Sequence, residues 1–307
     1  MGEDMRNSLF IGNGLNLTLD NYAWGDMLHE IANYVGTESV SGISLPLEFE
    51  RLMNIKLARN PGLKEKEDIY SKAKSRAVKP LKELKLVDDA IHHKLRDIPC
   101  DSIITTNYDF MIEQVFDSNY SYNESCVTYC EEKTSTLNKV NFYHPHGSIA
   151  STKSICLGYE HYVKLLIRIR NEMDKIYSII DSPDNDGTKW YHKFFTDNLY
   201  FVGFGLAESE IDIWSLITKR ASLYYRDKDN LQSRIQNVIT YYEIINNLDE
   251  NIRPNTAKLA LLEAEHVEVR RKKLSEYMDA TGNKKDAYIE AYGDILNEIK
   301  AEIEENE

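Results

Sequence analysis

Apolar positions along the chain fall into short runs, each closed by a sharp polar or glycine turn and followed by a helical stripe. Residues 8–11 are such a run, ending at once in Gly12-Asn13-Gly14. Residues 102–105 are β-branched and lead into Thr106-Asn107-Tyr108-Asp109, and 140–143 end in His144-Pro145-His146-Gly147. Residues 198–202 close on Gly203-Phe204-Gly205, and 237–242 form a fifth run. Short β-rich runs bounded by turn residues predict strands. Between them, Trp24, Met27, Leu28, Ile31 and Ala32 recur at helical spacing up to Gly36. Residues 45–97 read as a charged helical insertion divided by Pro61-Gly62 and Pro80. Helical stretches also follow through Phe110, Ile112, Val115 and Phe116, over 159–180, and from near Glu208. A loop is expected at 182–187. From Asn255 onward nearly everything reads as helix, broken near Thr281-Gly282-Asn283, with Leu259, Leu262, His266 and Val269 at helical spacing. Strand, turn, helix in succession predicts an α/β fold with a parallel sheet, and such sheets bind ligands beyond the carboxyl ends of their strands.

Composition narrows the class. A chain of 307 residues can bury a full α/β core with helical additions, and 42% hydrophobic with 28% charged residues is ordinary for a globular protein. No apolar run is long enough to span a bilayer, and the acidic start Gly2-Glu3-Asp4 lacks a secretory pattern, so the cytoplasm is the expected compartment. A net charge of −13 opposes direct nucleic-acid binding, which needs clustered Lys and Arg. Cys100, Cys126, Cys130 and Cys156 form no Cys-x-x-Cys pair, so no zinc knuckle is expected and all four read as free thiols.

The turns carry the candidate chemistry. Glycines at 12 and 14, between a strand and a helix, permit close backbone approach to a diphosphate. The third glycine of the dinucleotide fingerprint is missing, since position 17 is Leu, and an ordinary turn is the alternative. Gly203-Phe204-Gly205 repeats the arrangement. Asn107 can hold a water or a ribose hydroxyl and Asp109 can accept from an amide, while either could instead cap a helix. A histidine at 144 or 146 can remove a proton near neutral pH, and Pro145 makes the two point differently.

In their order and spacing, Ile11-Gly12-Asn13-Gly14-Leu15-Asn16, Thr105-Thr106-Asn107-Tyr108-Asp109, His146-Gly147 and Val202-Gly203-Phe204-Gly205-Leu206 resemble the sirtuin-like NAD-binding family, especially its bacterial antiphage-defence branch. The resemblance spans residues 8 to about 245. It implies a Rossmann-like parallel sheet in residues 1–250, within which the charged helical stretch at 45–98 reads as an insertion, while 251–307 reads as a helical C-terminal extension outside the resemblance. It implies NAD as substrate, and no metal is expected because the sequence offers no convincing ligand set. Asn107 would orient water at the nicotinamide ribose, Asp109 would meet the carboxamide, and His146 would be the general base. Gly12, Asn13, Gly14, Asn16, Thr106, Gly203, Phe204 and Gly205 would bind the rest of the dinucleotide. Deacylating sirtuins carry a four-cysteine zinc module and usually Gln where this chain has Thr106, which favours hydrolysis of NAD itself. An NAD-dependent deacylase and a non-catalytic nucleotide-binding subunit are the alternatives. Control through a homo-oligomer or a partner defence protein is expected, with Leu259 to Tyr277 and Tyr288 to Ile299 as candidate docking helices and Tyr277, Tyr288 and Tyr292 as aromatic anchors.

Overall fold

The short β-rich runs become strands because each carries side chains that suit both faces of a covered sheet. The computed structural model describes residues 5–16, 24–62, 65–83, 90–118, 120, 135–181, 189–227, 235–246, 256–279 and 282–306. Its strands are β1 (Asn7–Ile11), β2 (Ser102–Thr105), β3 (Ser135–Leu137), β4 (Val140–Tyr143), β5 (Asn198–Val202), β6 (Ile239–Ile245) and β7 (Glu268–Lys273). They form one sheet in the order β3-β4-β2-β1-β5-β6-β7, parallel throughout except for the β3–β4 hairpin. Without β3 this is the Rossmann order, whose switch point falls between β1 and β5.

The helices are α1 (Trp24–Val35), α2 (Leu45–Arg59), α3 (Glu65–Val78), α4 (Ala90–Leu95), α5 (Met111–Phe116), α6 (Tyr159–Met173), α7 (Ile176–Asp181), α8 (Lys193–Thr196), α9 (Ile211–Asp227), α10 (Thr256–Ala264) and α11 (Lys284–Asn306). Alternate strand residues serve opposite faces. Phe10, Ile104, Phe201 and Tyr241 pack with Leu165 and Ile169 of α6, Leu216 and Ile217 of α9, and Leu259 and Leu262 of α10. Leu9, Ile11, Ile103, Phe142, Tyr200 and Val202 pack with Leu95, Ile112, Ile295, Leu296, Ile299 and Ile303. Each such large side chain contributes about 1.5–3 kcal/mol by leaving water. Helices α1, α2 and α3 form a third cluster around Ile31, Phe49 and Leu52, and it takes in Tyr108 and Phe110. These helices therefore prop the turn that follows β2.

The stretch after Asn255 is not helical throughout. Glu268–Lys273 is β7, parallel to β6, and Val269 lies in it while His266 sits in the preceding turn at φ 57°. Its sequence, EVRRKK, hid a period-two pattern under charge. Arg270 pairs with Glu298 and Glu302, and Lys272 with Asp294 and Glu298, tying this edge strand to α11. Charged side chains on an edge strand also discourage pairing with foreign strands. The apolar faces of α10 and α11 are core, not free docking surface, so a chain cut before Asn255 would lose part of its own core. The helix expected from Glu208 begins at Ile211, after Glu210 has accepted the Ala207 N–H at 2.7 Å. Cys100 and Cys156 are buried free thiols, and Cys126, Cys130 and the loop at 182–187 lie outside the described residues.

Candidate functional site

The two glycine turns interlock at the switch point. Gly12 N–H donates to the Val202 carbonyl at 3.0 Å, and Gly14 N–H to the Gly203 carbonyl at 2.8 Å. A Cβ on Gly12 would stand 2.4 Å from the Gly203 oxygen, and one on Gly14 would stand 2.6 Å from that oxygen and from the Tyr292 hydroxyl. Only glycine lets the two backbones come this close. Gly14, Gly203, Phe204 and Gly205 line a cleft of about 470 Å³, a size typical of small-molecule sites. Its far wall comes from Tyr241, Tyr242 and Glu243 at the end of β6, Lys258 of α10, and Lys285, Tyr288 and Tyr292 of α11. Lys258 donates to the Gly205 carbonyl at 3.2 Å and to the Tyr241 hydroxyl at 2.9 Å, and it pairs with Glu243 at 3.1 Å.

Beside this cleft lies a buried polar cluster at the tips of β2 and β4. Ile104 faces Tyr143 in register, so Asn107 and His146, each three residues further on, leave neighbouring strands at the same level. The Asn107 N–H donates to Thr105 Oγ1 at 3.1 Å, and Thr105 Oγ1 donates to the Ile11 carbonyl at 2.8 Å, which links the turn to β1. The Asn107 side-chain Nδ2 is buried and donates to nothing among the described residues. His146 Nε2–H donates to Asp212 Oδ2 at 2.9 Å. Asp109 accepts from the Met111 N–H at 3.0 Å and from Asn16 Nδ2 at 3.1 Å, while His92 Nε2–H donates to Asn16 Oδ1 at 3.0 Å. Asn16 is two residues beyond Gly14, so this chain of bonds connects the cleft to the cluster.

Burial sets the protonation pattern. It pushes Asp109 above the usual carboxylate range, against the Met111 N–H and His144, which act the other way. Burial pulls the His144 imidazole down, but the charge and hydrogen bond of Glu113, with the Asn107 carbonyl, outweigh it and the net direction is up. Burial pushes the half-buried Glu210 up to about 7, against the opposing pull of His146, the Ala207 N–H and Lys258. Because it feels both His146 and Lys258, Glu210 sits where the cluster meets the cleft wall.

The structure thus brings Gly14, Gly203, Phe204 and Gly205 to one cleft, and Asn16, Asn107, Asp109 and His146 to the cluster behind it. Gly12 shapes the turn against Gly203, while Thr106 is buried in the β2 turn and Asn13 is half-buried between Gly12 and Gly14. Phe204 also belongs to the core, its ring centroid 4.8 Å from that of Phe10 and tilted 56° to it. The sequence did not signal Glu113, Asp212, Glu210, His92 or Lys258 as part of the site. Tyr288 and Tyr292 had read as interface anchors, yet they line the cleft. Among the described residues no group of three His, Cys, Asp or Glu side chains is placed to hold a metal, and no helix is long and apolar enough to cross a membrane.

Sheet order and a cleft at the switch point define a doubly wound α/β protein of the Rossmann type, a class that binds ligands at that point. Residues 101–223 match the family model of the SIR2-like domain. That match supports a sirtuin-like family, NAD binding and an NAD-using activity. It spans Asn107, Asp109, His146, Gly203 to Gly205 and Asp212, and leaves out the Gly12–Gly14 turn and the cleft wall after β6. A search of the curated proteins found no match.

Proposed function

We propose that this chain hydrolyses NAD⁺ at the bond between nicotinamide and ribose, consuming water and releasing nicotinamide, ADP-ribose and a proton. The observation that carries this reading is Asn107. A buried amide donor without a partner costs about 1–3 kcal/mol, which a purely structural residue has no reason to bear. Its place beside His146, behind a glycine-lined cleft in a SIR2-like domain, suits an amide that holds water at the ribose. Nicotinamide leaves through an oxocarbenium-like state, as at glycosides. Such a reaction needs oriented water and a proton acceptor more than a strong acid. As water attacks, it gives up a proton through a ribose hydroxyl to His146, which releases it to solvent, and Asp109 meets the carboxamide. Gly12, Asn13, Gly14, Asn16, Thr106, Gly203, Phe204 and Gly205 bind the remaining dinucleotide.

In this reading the enzyme is latent. His146 is 0% exposed, and an unregulated NAD hydrolase would empty its own cytoplasm. It acts as the NAD-depleting effector of a bacterial antiphage system, released through self-assembly or a partner defence protein. The test incubates purified chain with NAD and separates the products by chromatography, with and without co-purifying proteins. Nicotinamide and ADP-ribose in equal amounts are expected. An intact NAD pool in every preparation would overturn the proposal, and turnover only with an acylated peptide would replace it with deacylation.

A further inference from the structure

The His146–Asp212 contact has no assigned role, and its geometry is that of an oriented imidazole. His146 Nε2 and Asp212 Oδ2 are 2.9 Å apart, with side chains 1% and 0% exposed. The His146 backbone is already fixed. Its carbonyl accepts the Cys156 N–H at 2.8 Å, and the next residue, Gly147, has φ 86° with the Ser154 carbonyl where a Cβ would go. With the main chain pinned, the ring's direction and tautomer are left to its side-chain neighbours. Asp212 stands in the first turn of α9, where the helix dipole favours a negative charge.

We propose that Asp212 is the positioning residue for His146, holding the imidazole as the Nε2–H tautomer so that Nδ1 is the nitrogen that accepts the proton during NAD cleavage. This rests on His146 being the base of that reaction. A carboxylate that orients a histidine and steadies its charged form is a recurring device for proton transfer. The other described groups near the ring are phenols, a thiol and a second carboxyl. Tyr162 from α6 lies edge-on at 5.0 Å, and burial holds its hydroxyl neutral. Tyr108 and Cys156 complete that side, near Tyr162. Glu210, two residues before Asp212, is engaged by the Ala207 N–H.

The test compares full-length wild type, Asp212→Asn and Asp212→Glu by ring-nitrogen NMR of His146 and by the pH profile of NAD turnover. Asp212→Asn should lower kcat about 10²-fold with KM changed less than about threefold. Removing the facing anion should also move the acid limb and the His146 titration to lower pH, and the Nε2–H tautomer should lose population. Asp212→Glu should restore part of the rate. An unchanged His146 titration and tautomer in a folded Asp212→Asn protein would overturn the proposal. So would a gain in turnover, which would make Asp212 a latch that holds the base shut. A wild type that never cleaves NAD would instead remove the hydrolase reading, and the NMR titration would still decide the Asp212–His146 contact.

Discussion

The Asn107 carbonyl accepts a 2.8 Å hydrogen bond from His144 Nδ1, while His144 Nε2–H donates to Glu113 at 2.7 Å. His144 therefore clamps the backbone of the residue proposed to hold water, and Glu113 keeps both of its ring protons in place. His144→Ala should cost about 3–5 kcal/mol, because the Glu113 carboxylate would be left buried without its partner. Measured per folded molecule, NAD turnover should fall much further in His146→Ala than in His144→Ala. Denaturant unfolding read beside the rates separates the two effects. A His144→Ala chain as stable as wild type would show that the pair is not what holds the turn.

Asn107→Ala should keep the fold and, by removing a buried donor that goes unsatisfied, gain up to about 1–3 kcal/mol in stability, while reducing NAD cleavage by at least about 10²-fold. Among the described residues its side-chain Nδ2 makes no bond to lose, and the backbone bond to Thr105 remains. Capping is not its job: the Met111 N–H at the start of α5 is taken by Asp109. Wild-type turnover in a folded variant would dismiss Asn107 from the chemistry.

Two glycines of the interlocked turns should respond differently to alanine. Gly12→Ala forces a Cβ to 2.4 Å from the Gly203 oxygen, backbone against backbone, and should destabilise by about 1–3 kcal/mol. Gly205→Ala meets no atom of the described residues within 4 Å, so its stability should stay within about 0.5 kcal/mol of wild type. Because Gly205 lines the cleft, its variant should change the KM for NAD. Equal melting temperatures for the two variants would contradict the packing argument.

Glu210 should make stability depend on pH. Its carboxyl, raised from 4.5 to about 7 in the folded chain, keeps a proton that the unfolded chain releases. The stabilisation from this neutral carboxyl is complete below about 4.5 and is lost as pH rises through about 7, by at most about 1.4 kcal/mol per pH unit. Glu210→Gln is uncharged throughout, so its advantage over wild type should grow across that window. Thermal unfolding of both proteins on either side of it provides the check. Curves that stay parallel would rule out the buried-proton account.

The sequence by itself determined the strands at 102–105, 140–143 and 198–202, which the structure keeps with the same ends. Their β-branched and aromatic runs are bounded by residues that stop a strand locally. It also placed Asn107, His146 and the two glycine turns at strand ends, since strand, turn and helix follow from neighbours in the chain. It could not find β7, where charged side chains mask an edge strand that takes its order from β6 and α11. Nor could it find what each site residue is bound to. His144 meets Glu113 from 31 residues away, His146 meets Asp212 from 66, and Asn16 meets His92 from 76. The same limit explains Tyr292, which reads as a surface anchor in its own helix and yet stands over Gly14. Local periodicity specifies which way a chain segment folds. Which buried donors and acceptors satisfy one another is decided only when distant segments pack, because the cost of leaving them unpaired arises only once water is excluded.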